Sequence, residues 1–180
     1  MPHRDYSTGI KNCHYVVKGT AIEVKKLPGA VRLSMKPSAA DRNIKVRSGS
    51  TIYQTTTARQ GTQRQAELEI VSLPESFLID VLGWTKGTDG SLTEGIQPNV
   101  HIILLYETEN GGCPVRHMLY DCVVSSPSFD ATTIGSDLSI DKRKLDIIFN
   151  PDPSNNNNLS RQIARADNEN LFNSWFGLKT

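Results

Sequence analysis

The sequence predicts a mainly β fold, and three observations carry that reading. Val31, Leu33 and Met35 alternate with Arg32, Ser34 and Lys36, and Ala66, Leu68 and Ile70 alternate with Glu67 and Glu69. Period-two alternation places one set on a core face and the other on the opposite face of a strand. Val100 to Tyr106 is an apolar run interrupted only by His101, which reads as a strand covered on both sides. Asn110-Gly111-Gly112 then separates it from a further strand over Val115 to Val124. The glycine pair can supply the positive φ that a hairpin needs.

Leu145, Ile147 and Phe149 end a last strand that begins near Leu138. A short helix is predicted over Pro74 to Leu82. Pro74 suits the first helical turn, Phe77, Leu78, Val81 and Leu82 fall on one face, and Gly83 suits the position past the end. A second helix is predicted over about 168–176, within a helical segment 167–177. Asp167 can cap it, and Leu171, Phe172, Trp175 and Phe176 form its apolar face. Left bare, that face is an aggregation liability, so the helix must dock on its own core or on a neighbour.

Two segments lack such patterning. Pro37 to Gly61 is rich in Ser, Thr, Arg and Gln. A loop of about 25 residues inside a compact domain is functional or disordered. It reads as an extended loop or hairpin arm, with Ser48, Thr51, Tyr53, Thr55 and Thr57 as candidate inter-subunit contacts. Pro151 to Ser160, with its run Asn155 to Asn158, cannot bury a core. It reads as a flexible linker reaching to about residue 166. Residues 1–180 are read as one domain.

Bulk chemistry narrows the function classes. Net charge is +1, so no surplus of cations argues for nucleic-acid binding. The hydrophobic share of 37% is low enough that polar loops must dilute a normal core. A chain of this size buries roughly 70% of its unfolded surface and needs no disulfide or metal to fold. Three cysteines, irregularly spaced, argue against a secreted disulfide framework. No apolar signal segment opens the chain, and no apolar run can span a bilayer, so synthesis in a reducing cytoplasm without a membrane anchor is expected.

Catalytic and metal motifs are missing. There is no G-x-x-x-x-G-K-[ST] phosphate loop, G-x-S-x-G elbow or H-E-x-x-H pair. Cys113, His117, Asp121 and Cys122 are the best metal candidates. Strand parity sends His117 and Asp121 to one face, and Cys122 to the other with Met118, Tyr120 and Val124. Cys122 therefore reads as a core residue. Parity also separates Cys13 from His14. Glu67 and Glu69 share a strand face, where a solvated surface is the plainer reading than paired catalytic carboxylates. Catalytic residues, metals and cofactors are expected to be none.

The order of several motifs carries a resemblance. Leu27-Pro-Gly-Ala-Val-Arg-Leu-Ser-Met35, Leu68-Glu-Ile-Val-Ser-Leu-Pro-Glu-Ser-Phe77 and Asp80-Val-Leu-Gly-Trp84 come first. His117-Met-Leu-Tyr-Asp-Cys-Val-Val-Ser-Ser-Pro127, Leu145-Asp-Ile-Ile-Phe-Asn-Pro151 and Leu171-Phe-Asn-Ser-Trp-Phe176 follow. From about Ile10 to Phe176 the chain resembles the major tail proteins of long-tailed, non-contractile phages of Gram-positive bacteria. The resemblance implies a β-sandwich or barrel-like core with a packed helix. It implies hexameric rings stacked into a hollow tube that conducts DNA without binding it specifically. The implied partners are further copies of the chain and the tape measure, terminator and distal tail proteins. The implied location is the virion, after assembly in the host cytoplasm. Glu67 and Glu69 are then candidates to face the lumen, where carboxylates repel phosphates. Another tail component, the inner tube of a contractile machine, and a monomeric β-sandwich binding module are the alternatives.

Overall fold

The computed structural model describes residues 7–36, 41–48, 51–59, 64–110, 112–127, 142–152, 160–165 and 169–176. In chain order the strands are β1 (Ser7–Val17), β2 (Lys25–Lys26), β3 (Ala30–Lys36), β4 (Asp41–Ser48), β5 (Thr51–Arg59) and β6 (Arg64–Ile70). Helix α1 (Glu75–Asp80) follows, then β7 (Thr85–Lys86), β8 (Leu92–Thr93), β9 (His101–Asn110), β10 (Cys113–Val124), β11 (Arg143–Phe149), β12 (Arg161–Arg165) and α2 (Glu169–Ser174). The protein is mainly β, as its alternating segments predict.

The main sheet is antiparallel, in the order β2-β1-β9-β10-β11-β6-β3, with β12 joined to β10. It curves enough to bring β3 beside β1. The β9–β10 hairpin turns by way of Gly112. Asn110 pairs with Cys113, and Gly112 has φ +87°. Strand β1 is irregular. Its register against β9 shifts twice, near Gly9 and Asn12, both of which have positive φ. Such bulges bend a strand and sharpen its twist.

The bulge in β10 organises one end of the molecule. Asp121 has φ +49°, and the register against β9 slips between Leu119 and Cys122. Before the bulge, Val115 to Leu119 pair with β12; after it, Cys122 to Val124 pair with β11. Strands β11 and β12 thus run as one interrupted strand along a single edge of β10. The break is tied at both ends: the Tyr120 amide donates to the Ser160 carbonyl, and the Asn150 amide donates to the Asp121 carbonyl. The Asp121 carboxylate accepts from Lys18 Nζ at 3.1 Å and from His101 Nδ1–H at 2.8 Å. Buried Asp152 takes the same lysine at 3.0 Å.

The extra residue inverts the parity expected for β10. Cys122 packs with Leu119 and Val124 in the principal core, whereas Met118 and Tyr120 lie in a second core on the other face. The expectation that Cys122 shares a face with Met118 and Tyr120 is therefore corrected. Strict alternation fails across a bulge because two residues oppose one.

The principal core lies between the inner sheet face and α1. Tyr15, Leu68, Ile70, Phe77, Ile102, Leu104, Leu119, Leu145 and Phe149 are almost wholly buried there. Helix α1 is pinned by Asp80, which accepts from Tyr15 Oη at 3.0 Å and from Lys25 Nζ at 2.8 Å. Burial pushes the Tyr15 phenol up to about 12, so it stays a donor. Pro74 sits one residue before α1, in extended conformation, at the capping position rather than in the first turn.

The second core covers the opposite face of β1, β9 and β10. Val16, Leu105, Met118, Tyr120, Ala164 and Trp175 form it. Ile102, Leu104 and Tyr106 of β9 thus point to one core and Leu105 to the other. This is the doubly covered strand that the apolar run predicts.

The described residues of Pro37 to Gly61 form the ladder β4–β5, in which Thr51, Ile52, Thr55, Thr56 and Thr57 are β-branched and favour strands. The expected linker over 151–166 contains strand β12, which forms because β10 offers it an edge. The Asn155–Asn158 run, the strand start near Leu138 and the Asp167 cap lie outside the described residues. Helix α2 is shorter than expected, and Trp175 and Phe176 follow it in a turn.

Trp175 is 3% exposed, and its indole N–H donates to the His117 carbonyl at 3.4 Å. Trp175→Ala should therefore cost about 3–5 kcal/mol, the range for removing a buried large aromatic. Equilibrium urea unfolding measures this, and an unchanged midpoint would show that the second core does not support the fold.

Candidate functional site

The sequence-derived candidates fall in three places, and a fourth region emerges from the structure. The first place is the β4–β5 arm. Ser48 pairs with Thr51, Thr55 with Lys45 and Thr57 with Asn43. The register shifts between Val46 and Arg47, opposite Gln54 and Ile52, so Tyr53 is the extra residue of the ladder. Strands β3 and β6 pair up to Lys36 opposite Gln65, and the ladder of the arm begins with Asp41 opposite Arg59. The arm is a two-stranded sheet of its own, set in sequence between β3 and β6.

The second place is the face of β3, β6 and β11 turned away from the core. Glu69 stands opposite Arg32 and Lys144, and Glu67 stands opposite Ser34 and Asp146. Both carboxylates are ion-paired: Glu67 with Lys144 at 3.2 Å and Glu69 with Arg32 at 3.6 Å. The face that carries the two lumen candidates is thus chequered with charges of both signs. Sequence parity identified the face, but the cations come from strands distant in sequence.

The third place is the helix face of Leu171, Phe172, Trp175 and Phe176. It lies on the chain's own sheet, over the second core. Arg116, which the sequence did not single out, is its clamp. Its guanidinium stacks 3.8 Å from the Phe172 ring centroid and 4.7 Å from that of Phe176. It also donates to the Phe172 carbonyl and, through Nε at 3.0 Å, to Glu107. Arg's flat fork can stack and hydrogen-bond together, which lysine cannot reproduce. His14 tilts against Phe176 at 4.7 Å, so it is a packing residue while Cys13 faces the core. Burial pushes the Cys13 thiol up to about 12, which keeps it protonated and unreactive.

The fourth region is a groove of about 720 Å³ between β1 and β3. Ile10, Val31, Leu33 and Met35 supply apolar walls, and Tyr106, Thr108, His117 and Arg161 line it as well. His117 stacks on Tyr106 at 4.7 Å. Arg161 Nη2 donates to His117 Nδ1 at 3.1 Å. Arginine has no acceptor, so Nδ1 must be bare and Nε2–H donates to Thr108 Oγ1 at 2.8 Å. Burial, then the Arg161 charge, pushes the His117 pKa down to about 4. Arg161 also reaches Met35 Sδ at 3.7 Å, while its buried Nε has no partner. The cluster ties β12 to β10 and provides no nucleophile activated by a base.

Cys113, His117, Asp121 and Cys122 do not converge. Cys113 is exposed, Cys122 is buried, and Asp121 is held by Lys18 and His101. Among the described residues, no group of three His, Cys, Asp or Glu side chains is placed to hold a metal. No described helix is long and apolar enough to cross a membrane. Compared with protein-family models and with curated proteins, the sequence matches none.

The His117 geometry sets a pH dependence. The folded pKa lies below the ordinary value of 6.5, so between about 6.5 and 4 the unfolded chain binds a proton that the folded chain refuses. This contribution to stability is complete above 6.5 and declines as pH falls toward 4. His117→Gln keeps an acceptor and a donor but cannot titrate. Relative to that variant, the wild type should lose about 3 kcal/mol of unfolding free energy between pH 7 and 4. Parallel curves for the two proteins would refute it.

Proposed function

We propose that the chain is the structural subunit of a phage tail tube, with six copies closing into a ring and rings stacking into a DNA conduit. The observation that carries this reading is the two-stranded ladder β4–β5, a sheet of its own set in sequence between β3 and β6 of the main sheet. An isolated two-stranded ladder is marginally stable in water, so it gains most by packing on a partner. Eight residues at roughly 3.3 Å each give the arm a length of about 26 Å, enough to reach another subunit. The ordered motif resemblance supplies the identity of the assembly. The curved antiparallel sheet supports a sandwich or barrel-like tube fold.

The chequered face suits a conduit. If β3, β6 and β11 line the lumen, Arg32 and Lys144 are engaged by Glu69 and Glu67. Cations held by carboxylates offer phosphates few counterion-releasing contacts, so DNA slides without being held. The C-terminal helix, docked on its own subunit, braces the outer side of the sheet. The role is structural rather than enzymatic. In the virion, the partners are neighbouring copies and the tape measure, terminator and distal tail proteins.

Purified protein at rising concentration, or with a tail initiator complex, should form rings or tubes visible by negative-stain microscopy. Persistent monomers under all these conditions, and absence of the chain from the tail tubes of virions, would sink the reading. Deleting Ser48 to Thr57 should leave a folded subunit that no longer polymerises. Fixing the arm costs about 1–2 kcal/mol per residue in conformational entropy, which only contacts with a partner can offset. Normal tubes from the deletion would remove the arm from assembly.

A further inference from the structure

The groove between β1 and β3 holds donors that no described acceptor takes up, and they gather around His117. Tyr106, stacked on the imidazole at 4.7 Å, is 3% exposed, and its hydroxyl makes no hydrogen bond among the described residues. Burial pushes that phenol well above its ordinary range, so it remains a donor. Thr108 Oγ1 accepts the His117 Nε2–H at 2.8 Å, which leaves the threonine's own proton to be given away. Arg161 completes the set. Its Nη2 donates to the imidazole at 3.1 Å and its Nη1 to the Met35 thioether at 3.7 Å, while its buried Nε has no partner.

Both acceptors on Arg161 are neutral, and it makes no ion pair among the described residues. A sheltered cation without a counter-charge is costly, and a thioether is a weak acceptor. The other charges of the groove do not supply one. Glu69 pairs with Arg32 at 3.6 Å, and exposed Lys142 adds a further cation. What the groove lacks is an acceptor with negative charge.

The rest of the lining narrows the ligand. Ile10, Val31, Leu33 and Met35 give one side of the groove an aliphatic surface. Its volume of about 720 Å³ lies within the range of small-molecule sites, roughly 300–1,000 Å³. A bare inorganic anion would leave the aliphatic side wet. A purely apolar molecule would cover the guanidinium and the phenol without pairing them, which is unfavourable. A molecule with one carboxylate and one aliphatic part satisfies both surfaces.

We propose that the groove binds an organic acid, a carboxylate on an aliphatic body, with the carboxylate accepting from Tyr106 and Arg161 and the body lying along Ile10, Leu33 and Met35. The carboxylate takes the place of the Met35 thioether on Nη1, and the flexible methionine folds onto the aliphatic body instead. The site lies within one subunit, so it stands or falls separately from the tube reading.

Isothermal titration of the full chain with octanoate, below its micelle concentration, tests this. Octanoate should bind saturably with one equivalent, and affinity should fall about fourfold for each methylene removed toward butanoate. Octanamide, of equal length but uncharged, should bind roughly tenfold or more weakly, the scale of hydrogen bonds to a charged group. Tyr106→Phe keeps the ring on His117 and removes only the hydroxyl, and it should weaken octanoate by a similar factor. Arg161→Gln should abolish the preference for octanoate over octanamide; if that variant does not fold, Tyr106→Phe decides. Equal binding of octanoate and octanamide, or a Tyr106→Phe variant as tight as the wild type, would overturn the site. So would acetate or phosphate binding as tightly as octanoate, which would mark a patch for simple anions only. Absence of any octanoate binding at millimolar concentration would overturn it outright.

Discussion

The bulge at Asp121 is the constraint on which the two cores depend. A regular β10 would carry one parity along its whole length. With one residue inserted, Leu119 and Cys122 both face the principal core, while Met118 and Tyr120 face the second. The same kink separates the edge used by β11 from the edge used by β12. The positive φ of Asp121 is costly for a residue with a Cβ, and local hydrogen bonding is what makes it tolerable for Asp. Here Lys18 and His101 bind the carboxylate, and the Asn150 amide binds the carbonyl. Burial works against the charge on Lys18, but its hydrogen bonds with Asp152 and Asp121 outweigh it and raise the lysine pKa. The price of the strained residue is met by a network drawn from three separate segments, around Lys18, His101 and Asn150–Asp152.

Sequence patterning was informative where one physical rule acted alone. Alternation located β3 and β6, the apolar run located β9, and the Gly111-Gly112 pair located the β9–β10 hairpin. It failed where partners decide the outcome. Strand β12 has Ile163 and Ala164 among polar neighbours, and only the edge of β10 makes it a strand. In the arm, Thr-rich strands carry no apolar alternation, so β-branching is the sign that separates its hairpin form from a loop. The small β7–β8 ladder was missed despite its Asp89-Gly90 turn, where Asp89 accepts from the Ser91 amide at 3.0 Å.

The candidate sites show the same division. Parity placed Glu67 and Glu69 on one face, but Lys144 and Arg32 arrive through strand pairing that no local pattern encodes. The apolar face of α2 was legible from helical spacing. Its clamp, Arg116, was not, because an arginine within a β strand gives no sign of the rings it will cover.

The second core has a consequence for the order in which the molecule is completed. Its floor, built by Val16, Leu105, Met118 and Tyr120, is in place once β1, β9 and β10 have paired. Its roof, Ala164 and Trp175, belongs to the last described elements of the chain. During synthesis, the paired strands therefore display an apolar surface that closes only when β12 and α2 arrive. Exposed surface of this kind makes late folding intermediates prone to aggregate. The C-terminal segment acts as an intramolecular lid on a sticky nascent chain.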